Sequence, residues 1–220
     1  MATSPPPDAP RDTTRIDPAT LRFGEQYKLM TGTIVPRPIA LVSTLGPEGP
    51  NAAPFSFFNA VGAKPPMIVF SAGPRDGAEK DTIHNLRHLP EFVLHIVDFA
   101  SAEKMNTCAI EFPRHVDEIE RGGWRTAPSE IVKPVRLIDC PVQMECKVVD
   151  IREIGRAPYN LVLGEIVLFH FHEGIVNERL HVDHARLDAI GRLAGGLNYI
   201  RTHDRFGMAI PPVPEADLKP

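Results

Sequence analysis

Apolar and β-branched residues recur along the chain in short runs: "PIALVSTL", "NAAPFSFFNAV", "PMIVFSA", "EFVLHIV", "VQMECKVVDIREI" and "NLVLGEIVLFHFHEGIV". Runs of this kind, bounded by Gly and Pro, predict strands. The connectors "GPEGP" and "AKPP" are short and turn-like. Such turns join antiparallel neighbours, whereas a parallel pair needs a long crossover. Helical periodicity is confined to three segments. "KDTIHNLRHLP" places Ile83, Leu86 and Leu89 on one face, with an N-cap at Asp81 or Thr82 and a stop at Pro90. "SAEKMNTCAIEF" follows a Ser101 cap with Met105, Cys108, Ala109 and Phe112 along one face, and "HVDEIERGG" is a short helix ended by Gly122. No internal repeat is present. Six or so strands must hide their edges, so the pattern predicts a mainly β (α+β) fold: a closed or nearly closed antiparallel barrel with a few short peripheral helices.

At 220 residues and 43 % hydrophobic content the chain suffices for one sizeable core. The apolar pattern places that domain at residues 20–205, after a flexible Pro- and charge-rich segment (1–19) and before an extended tail (206–220). Both ends lack periodic apolar residues and are expected to be flexible or to lie over a neighbour. Twenty-four Lys and Arg against 28 Asp and Glu give a net charge of −4 without like-charge blocks. Nucleic acid and anionic membrane surfaces are therefore not the expected partners; small molecules are. Cys108, Cys140 and Cys146 form neither a CxxC nor an even framework, which points to free thiols in a reducing compartment, the cytoplasm. There is no apolar run of membrane-spanning length and no signal-peptide core.

Chemistry concentrates in a few stretches. "APFSFFN" puts Pro54, which cannot donate to a ladder, beside Phe55, Ser56 and Phe57. Such a segment offers apolar walls and unpaired amides to a flat ligand; the alternative is an edge strand with a Phe-rich inner face. In "SAGPRDGAEKDTIHNL" a Gly-containing loop leads through Lys80 into a helix start at Asp81 and Thr82. Free amides and the helix dipole make such a start an anion site, although an ordinary capped helix with a solvated lysine explains the same residues. Arg37, held extended in "PRP", is either an anion ligand or a surface arginine. The glycines of "RLAGGLNY" permit close backbone approach, or cap a helix C-terminus. His170 and His172 share one face of a strand, yet no spacing completes a metal set. GxSxG, GxGxxG and GxxxxGK[ST] are absent, so neither a nucleophile elbow nor a nucleotide-phosphate loop is expected.

Taken together, "VPRPIALVSTLGPEGPNAAPFSFFNAVGAKPPMIVFSA", "KDTIHNL" and "GRLAGGLNY" resemble the flavin reductase-like family of FMN-binding split barrels, flavoredoxins included, from about Thr31 to Tyr199. The resemblance implies an antiparallel split β-barrel, a homodimer, and FMN bound at the barrel edge near the subunit interface. The implied activity is flavin reduction by NADH or NADPH, and the implied acceptor is a two-component monooxygenase or another electron-acceptor protein. A flavoredoxin-like electron carrier and a non-redox ligand-binding barrel are the alternatives. On this resemblance the amides of Phe55 to Phe57, Ser56 foremost, face flavin N5 and O4, and Lys80, Asp81 and Thr82 hold the phosphate, with a hydroxyl from Ser71. Ser43, Thr44 and Asn51 lie against the ribityl chain and pyrimidine edge, Arg37 reaches a flavin or nicotinamide phosphate, and Gly195, Gly196 and Tyr199 approach across the dimer. Ala194 interrupts the family's more compact Leu-Gly-Gly. No side chain is expected to act as acid, base or nucleophile, and no metal is implied.

Overall fold

The computed structural model describes residues 13–74 and 78–214. The flexible N-terminal segment expected at 1–19 lies outside the described residues up to position 12, and so do 75–77 of the loop before Lys80 and 215–220 of the tail. After a 3₁₀ turn at Pro18–Thr20, the chain forms α1 (Phe23–Thr33), then β1 (Arg37–Pro38), β2 (Ala40–Gly46), β3 (Gly49–Phe55), β4 (Phe58–Ala63) and β5 (Pro66–Ala72). Next come α2 (Asp81–His88), β6 (Glu91–Ile96), α3 (Ala102–Thr107), α4 (Glu118–Arg121), β7 (Thr126–Ala127) and β8 (Arg136–Leu137). Two 13-residue strands, β9 (Val142–Ile154) and β10 (Tyr159–Phe171), lead to α5 (His184–Leu187), β11 (Ile190–Arg192) and β12 (Tyr199–Arg201).

Seven strands form one sheet in the order β3-β2-β6-β9-β10-β5-β4, all neighbours antiparallel. Its two edge strands, β3 and β4, are consecutive in sequence and separated only by a bend at Ser56 and Phe57. Three peptide steps reach about 11 Å at most, so the opposite edges must meet and the sheet rolls into a barrel. The seam carries no β3–β4 ladder, hence a split barrel. The Ser71 amide bonds the Phe57 carbonyl at 2.8 Å and ties the bend to β5.

Strand β10 buries alternate residues, Asn160, Val162, Gly164 and Ile166, as a strand facing one core does. Strand β2 instead buries five residues in succession, because a core lies on each of its faces. Ala40 and Val42 point into the barrel with Phe55, Phe70, Phe92, Val162 and the α2 residues Ile83 and Leu86. Leu41 points outward into a second cluster with Met105 of α3, Ile119 of α4, Trp124, Leu137 and Cys140. A three-stranded sheet, β1-β11-β12, and the β7–β8 pair complete the fold.

Several expectations change. The run "NAAPFSFFNAV" is two strands broken at Ser56–Phe57, not one. The cap of α2 is Lys80, not Asp81 or Thr82, and no side chain bonds across it; Ser101 likewise makes no side-chain cap bond to α3. The helix of "HVDEIERGG" is a single turn, capped by the Asp117 carboxylate on the Ile119 and Glu120 amides. Helices α1 and α5 were not expected. No helix among the described residues is long and apolar enough to cross a membrane.

Candidate functional site

The Pro54–Phe57 bend borders three hollows. The first is a small cleft of about 110 Å³ between β3, the start of α2 and α4, lined by Asn51, Pro54, Lys80, Asp81, Thr82 and Glu118, among others. The amides of Ile83 and His84 both donate to the Lys80 carbonyl, which leaves the Asp81 and Thr82 amides with no acceptor among the described residues. Two orphan donors, the positive end of an eight-residue helix and one ammonium group make this cleft suited to an anion.

Behind it, polar side chains satisfy one another. The Thr82 hydroxyl donates to Asn51 Oδ1 at 3.0 Å, Asn51 Nδ2 donates to Glu118 Oε2 at 3.0 Å, and Asn85 Nδ2 donates to Thr44 Oγ1 at 3.1 Å. All five residues are buried, where an unpaired polar group is costly. Thr82 therefore has its amide, not its hydroxyl, free for a ligand, and Asn51 and Thr44 brace the wall of the cleft. Burial pushes the Glu118 carboxyl above its usual range, against the bonds from Asn51 and nearby amides that would lower it. Asp81 turns away to Arg114, Oδ1 to Nε 2.7 Å. Ser43 is a correction: its Oγ donates to the Val135 carbonyl at 2.7 Å on the opposite face of β2 from the barrel interior. Strand alternation puts Ser43 and Thr44 on opposite faces, so they cannot share one ligand.

The second hollow, about 300 Å³, is lined by Met30, Ile34, Arg37, Ser56, Phe57 and Asn59 among others. Arg37 is a correction to both earlier readings, since it is neither a surface residue nor free for a phosphate. Its Nη1 donates to the carbonyls of Thr31 (2.6 Å) and Ile34 (2.9 Å), Nη2 to that of Ala194 (2.9 Å), and Nε reaches Ser56 Oγ at 3.4 Å. One buried guanidinium thus joins the end of α1, the bend and the glycine segment. That segment is the β11–β12 hairpin turn, not a helix C-terminus: Leu193 N–H donates to the Asn198 carbonyl, with Ala194 at φ 47° and Gly196 at φ 81°. Gly195 faces Thr31 across the turn. Tyr199 departs from the group: its ring stacks on the Arg192 guanidinium, 4.5 Å from it, and borders a separate hollow with Phe99, Met105 and Arg201.

The third hollow is an apolar groove of about 420 Å³ between α1 and the ends of β5 and β10. Phe57 stands between Tyr27 and Tyr159, ring centroids 6.2 and 6.1 Å away, and Ser71 opens here, not on the Lys80 cleft as expected. Phe55 points into the core against Phe70, 5.0 Å between centroids, so only its backbone can serve a ligand. The sequence reading missed Tyr27, Tyr159 and Glu118: Tyr27 and Tyr159 lie in stretches that carried no element or motif, and Glu118 is one of several acidic residues in a short helix. His170 bonds Glu145 at 2.7 Å and His172 the Ile138 carbonyl at 2.9 Å, so both serve the sheet.

The chain matches the model of the flavin reductase like domain over residues 31–202, well over half its length. It belongs to the flavin reductase-like family. Among solved structures, nitrilotriacetate monooxygenase component B from Bacillus cereus is 32 % identical with a TM-score of 0.86, the match covering 90 % of this chain and all of that one. The 2-nitrobenzoate 2-nitroreductase NbaA of Pseudomonas fluorescens is 37 % identical with a TM-score of 0.81, covering 92 % and 100 %. A split-barrel structure from Shewanella frigidimarina, at 16 % identity and a TM-score of 0.74 over 89 % of this chain and 94 % of that one, shares the fold. In this family member the antiparallel split barrel and its seam bend are the frame on which the three hollows are built.

Proposed function

We propose that the protein is an FMN-dependent NAD(P)H:flavin oxidoreductase that works as a homodimer, in the manner of a reductase component serving a monooxygenase. The observation that carries this reading is the Lys80 cleft, where an ammonium and two orphan helix amides open beside the bend of a flavin reductase-like barrel. A terminal monophosphate matches so small a cleft, and the isoalloxazine plate would then extend along Pro54–Phe57, whose bend leaves the ladder. When bound, the flavin supplies the hydride-accepting chemistry. In this reading the chain's own residues bind the phosphate, present backbone donors at the bend, and wall the ring with Phe57 and its aromatic neighbours, and the hydride transfer asks for no acid, base or nucleophile from them. Exposed apolar side chains on α1, Phe23, Leu29 and Met30, and Ile34 just after it support a second copy as cover.

A visible spectrum of freshly purified protein and a fluorescence titration with FMN test the reading. Lys80→Ala should raise the FMN dissociation constant about ten- to hundredfold, the loss of one charge-assisted contact of ~1.5–3 kcal/mol, while exposed Lys64→Ala leaves it unchanged. Equal affinities in the two variants refute the phosphate assignment. The uncharged aromatic groove and the likeness to the nitroreductase favour a second reading, in which the flavin's electrons go to a nitroaromatic compound. Turnover of NADH or NADPH with free FMN against turnover with 2-nitrobenzoate separates the two. Oxidation of neither nicotinamide leaves the electron-carrier role.

A further inference from the structure

Beyond β12 the chain runs out as an extended arm. No hydrogen bond joins residues 204–214 to the rest of the described chain. Yet this arm is not polar: Phe206, Met208 and Ile210 are 84, 83 and 94 % exposed, and Val213 is 60 % exposed. Phe206, Met208 and Ile210 stand at every second residue, so in an extended chain they form one apolar face. From Phe206 to Pro214, "FGMAIPPVP" carries no charge. The three prolines hold its far half extended, which lowers the entropy cost of ordering it on a surface. An apolar stripe on an arm that no hydrogen bond ties to the described chain is a docking element without its dock.

The groove between α1 and the ends of β5 and β10 has matching properties. Phe23, Tyr27, Met30, Phe57, Tyr159 and Leu161 line most of it, and none of its lining residues is charged. Uncharged arm and uncharged groove are complementary, and burying charged residues such as Asp204 or Arg205 there is not required. We propose that residues 206–213 of one copy seat in this groove of a second copy, so that each subunit's arm roofs the Phe57 end of its partner's site. The exchange is isologous: the same arm and groove act in both directions, and the contact closes at two copies. The proposal rests on the two-copy assembly put forward above and adds the element that holds it together.

Met30 on α1 and Met208 on the arm are exposed, and the three native cysteines are buried, so an introduced pair reports on the contact. Full-length Met30→Cys and Met208→Cys chains, purified separately, are mixed, left to exchange subunits and mildly oxidised. A covalent two-chain species that forms only in the mixture is expected. Sedimentation of the chain ended after Asp204 should give a dimer dissociation constant at least about tenfold higher than that of the full chain. A full chain that is dimeric by sedimentation but yields no cross-link, or a tail-less chain that dimerises equally well, overturns the arm exchange while leaving the assembly intact. A double variant that forms only an intrachain bond shows the arm folding onto its own groove and overturns it too. A full chain that is monomeric at micromolar concentration overturns both the exchange and the assembly beneath it.

Discussion

At the scale of single residues, burial decides which polar groups are available for chemistry and which are consumed by structure. His95 is fully buried: the Leu137 amide donates to its Nε2 at 2.9 Å, so Nδ1 carries the hydrogen and donates it to the Leu41 carbonyl at 2.9 Å. Desolvation lowers its pKa from 6.5 to about 4, despite the favourable bond to Leu41. The neutral ring is thus the folded form. Its contribution is complete above the unfolded value of 6.5 and is lost as pH falls towards 4, about 3 kcal/mol over that window. Burial would raise the Glu145 carboxyl, but the amides of Glu130, Ile131 and Val132 and the ring of His170 outweigh it and hold it below its usual range. Its contribution too is lost with falling pH. Urea denaturation midpoints should therefore drop between pH 6.5 and 4, and drop less in His95→Gln. Glu118 works in the opposite sense. Its raised pKa makes the charged form costly, so stability from the neutral form is present below the ordinary carboxylate range and lost as pH rises through the folded value. Glu118→Gln keeps an acceptor for Asn51 and removes a negative charge from the anion cleft. It should tighten FMN binding a fewfold at pH 7.5, read by fluorescence titration; weaker binding would mean that the phosphate is not in this cleft.

At the scale of elements, close approach explains what composition does not. Gly164 on β10 lies where a Cβ would come 2.6 Å from Phe92 Cζ and 3.5 Å from Ile68 Cδ1, inside the barrel. Gly164→Ala should cost about 1–3 kcal/mol by overpacking, seen as a lower denaturation midpoint with unchanged slope. Strand β9 was readable to the residue, 142–154, because a long β-branched run between a proline and a glycine leaves little choice. The break at Ser56–Phe57 was not, because it is imposed by the meeting of two sheet edges far apart in the strand order. Helix α1 escaped notice for a different reason. Among its residues only Thr31 is buried, so it shows no core-facing apolar stripe, and Gly24 and Gly32 lower its propensity. The sequence did mark the neighbourhood of the candidate site, since Pro54, Lys80, Asp81 and Thr82 line one cleft. It could not assign the atoms. Whether Thr82 offers hydroxyl or amide, and whether Arg37 meets a ligand or the carbonyls of Thr31, Ile34 and Ala194, depends on partners distant in sequence.

For the whole molecule, the proposed reaction path must avoid the protein's own redox-active groups, and the placement of the thiols makes that testable. Cys146 lies inside the barrel, whereas Cys108 and Cys140 lie in the outer cluster beyond β2, and all three are buried and unpaired. Desolvation pushes the Cys108 thiol up to about 11, against the bond donated by Trp124 Nε1, and pushes the other two higher. Neutral thiols are poor nucleophiles and poor relays. Native protein should accordingly react with a chromogenic disulfide reagent only on unfolding, when three equivalents per chain become available. The triple Cys→Ala variant fills three small apolar sites less well and should lose stability, by about 1 kcal/mol or more per site. If it folds, anaerobic mixing with NADH or NADPH should bleach its bound flavin within a fewfold of the parent rate. A folded, flavin-loaded variant that no longer bleaches while the parent does would place a thiol on the electron path and end the direct-transfer reading. Slowed unfolding-limited labelling with an unchanged bleaching rate would locate the cysteines where the fold puts them, in the packing alone.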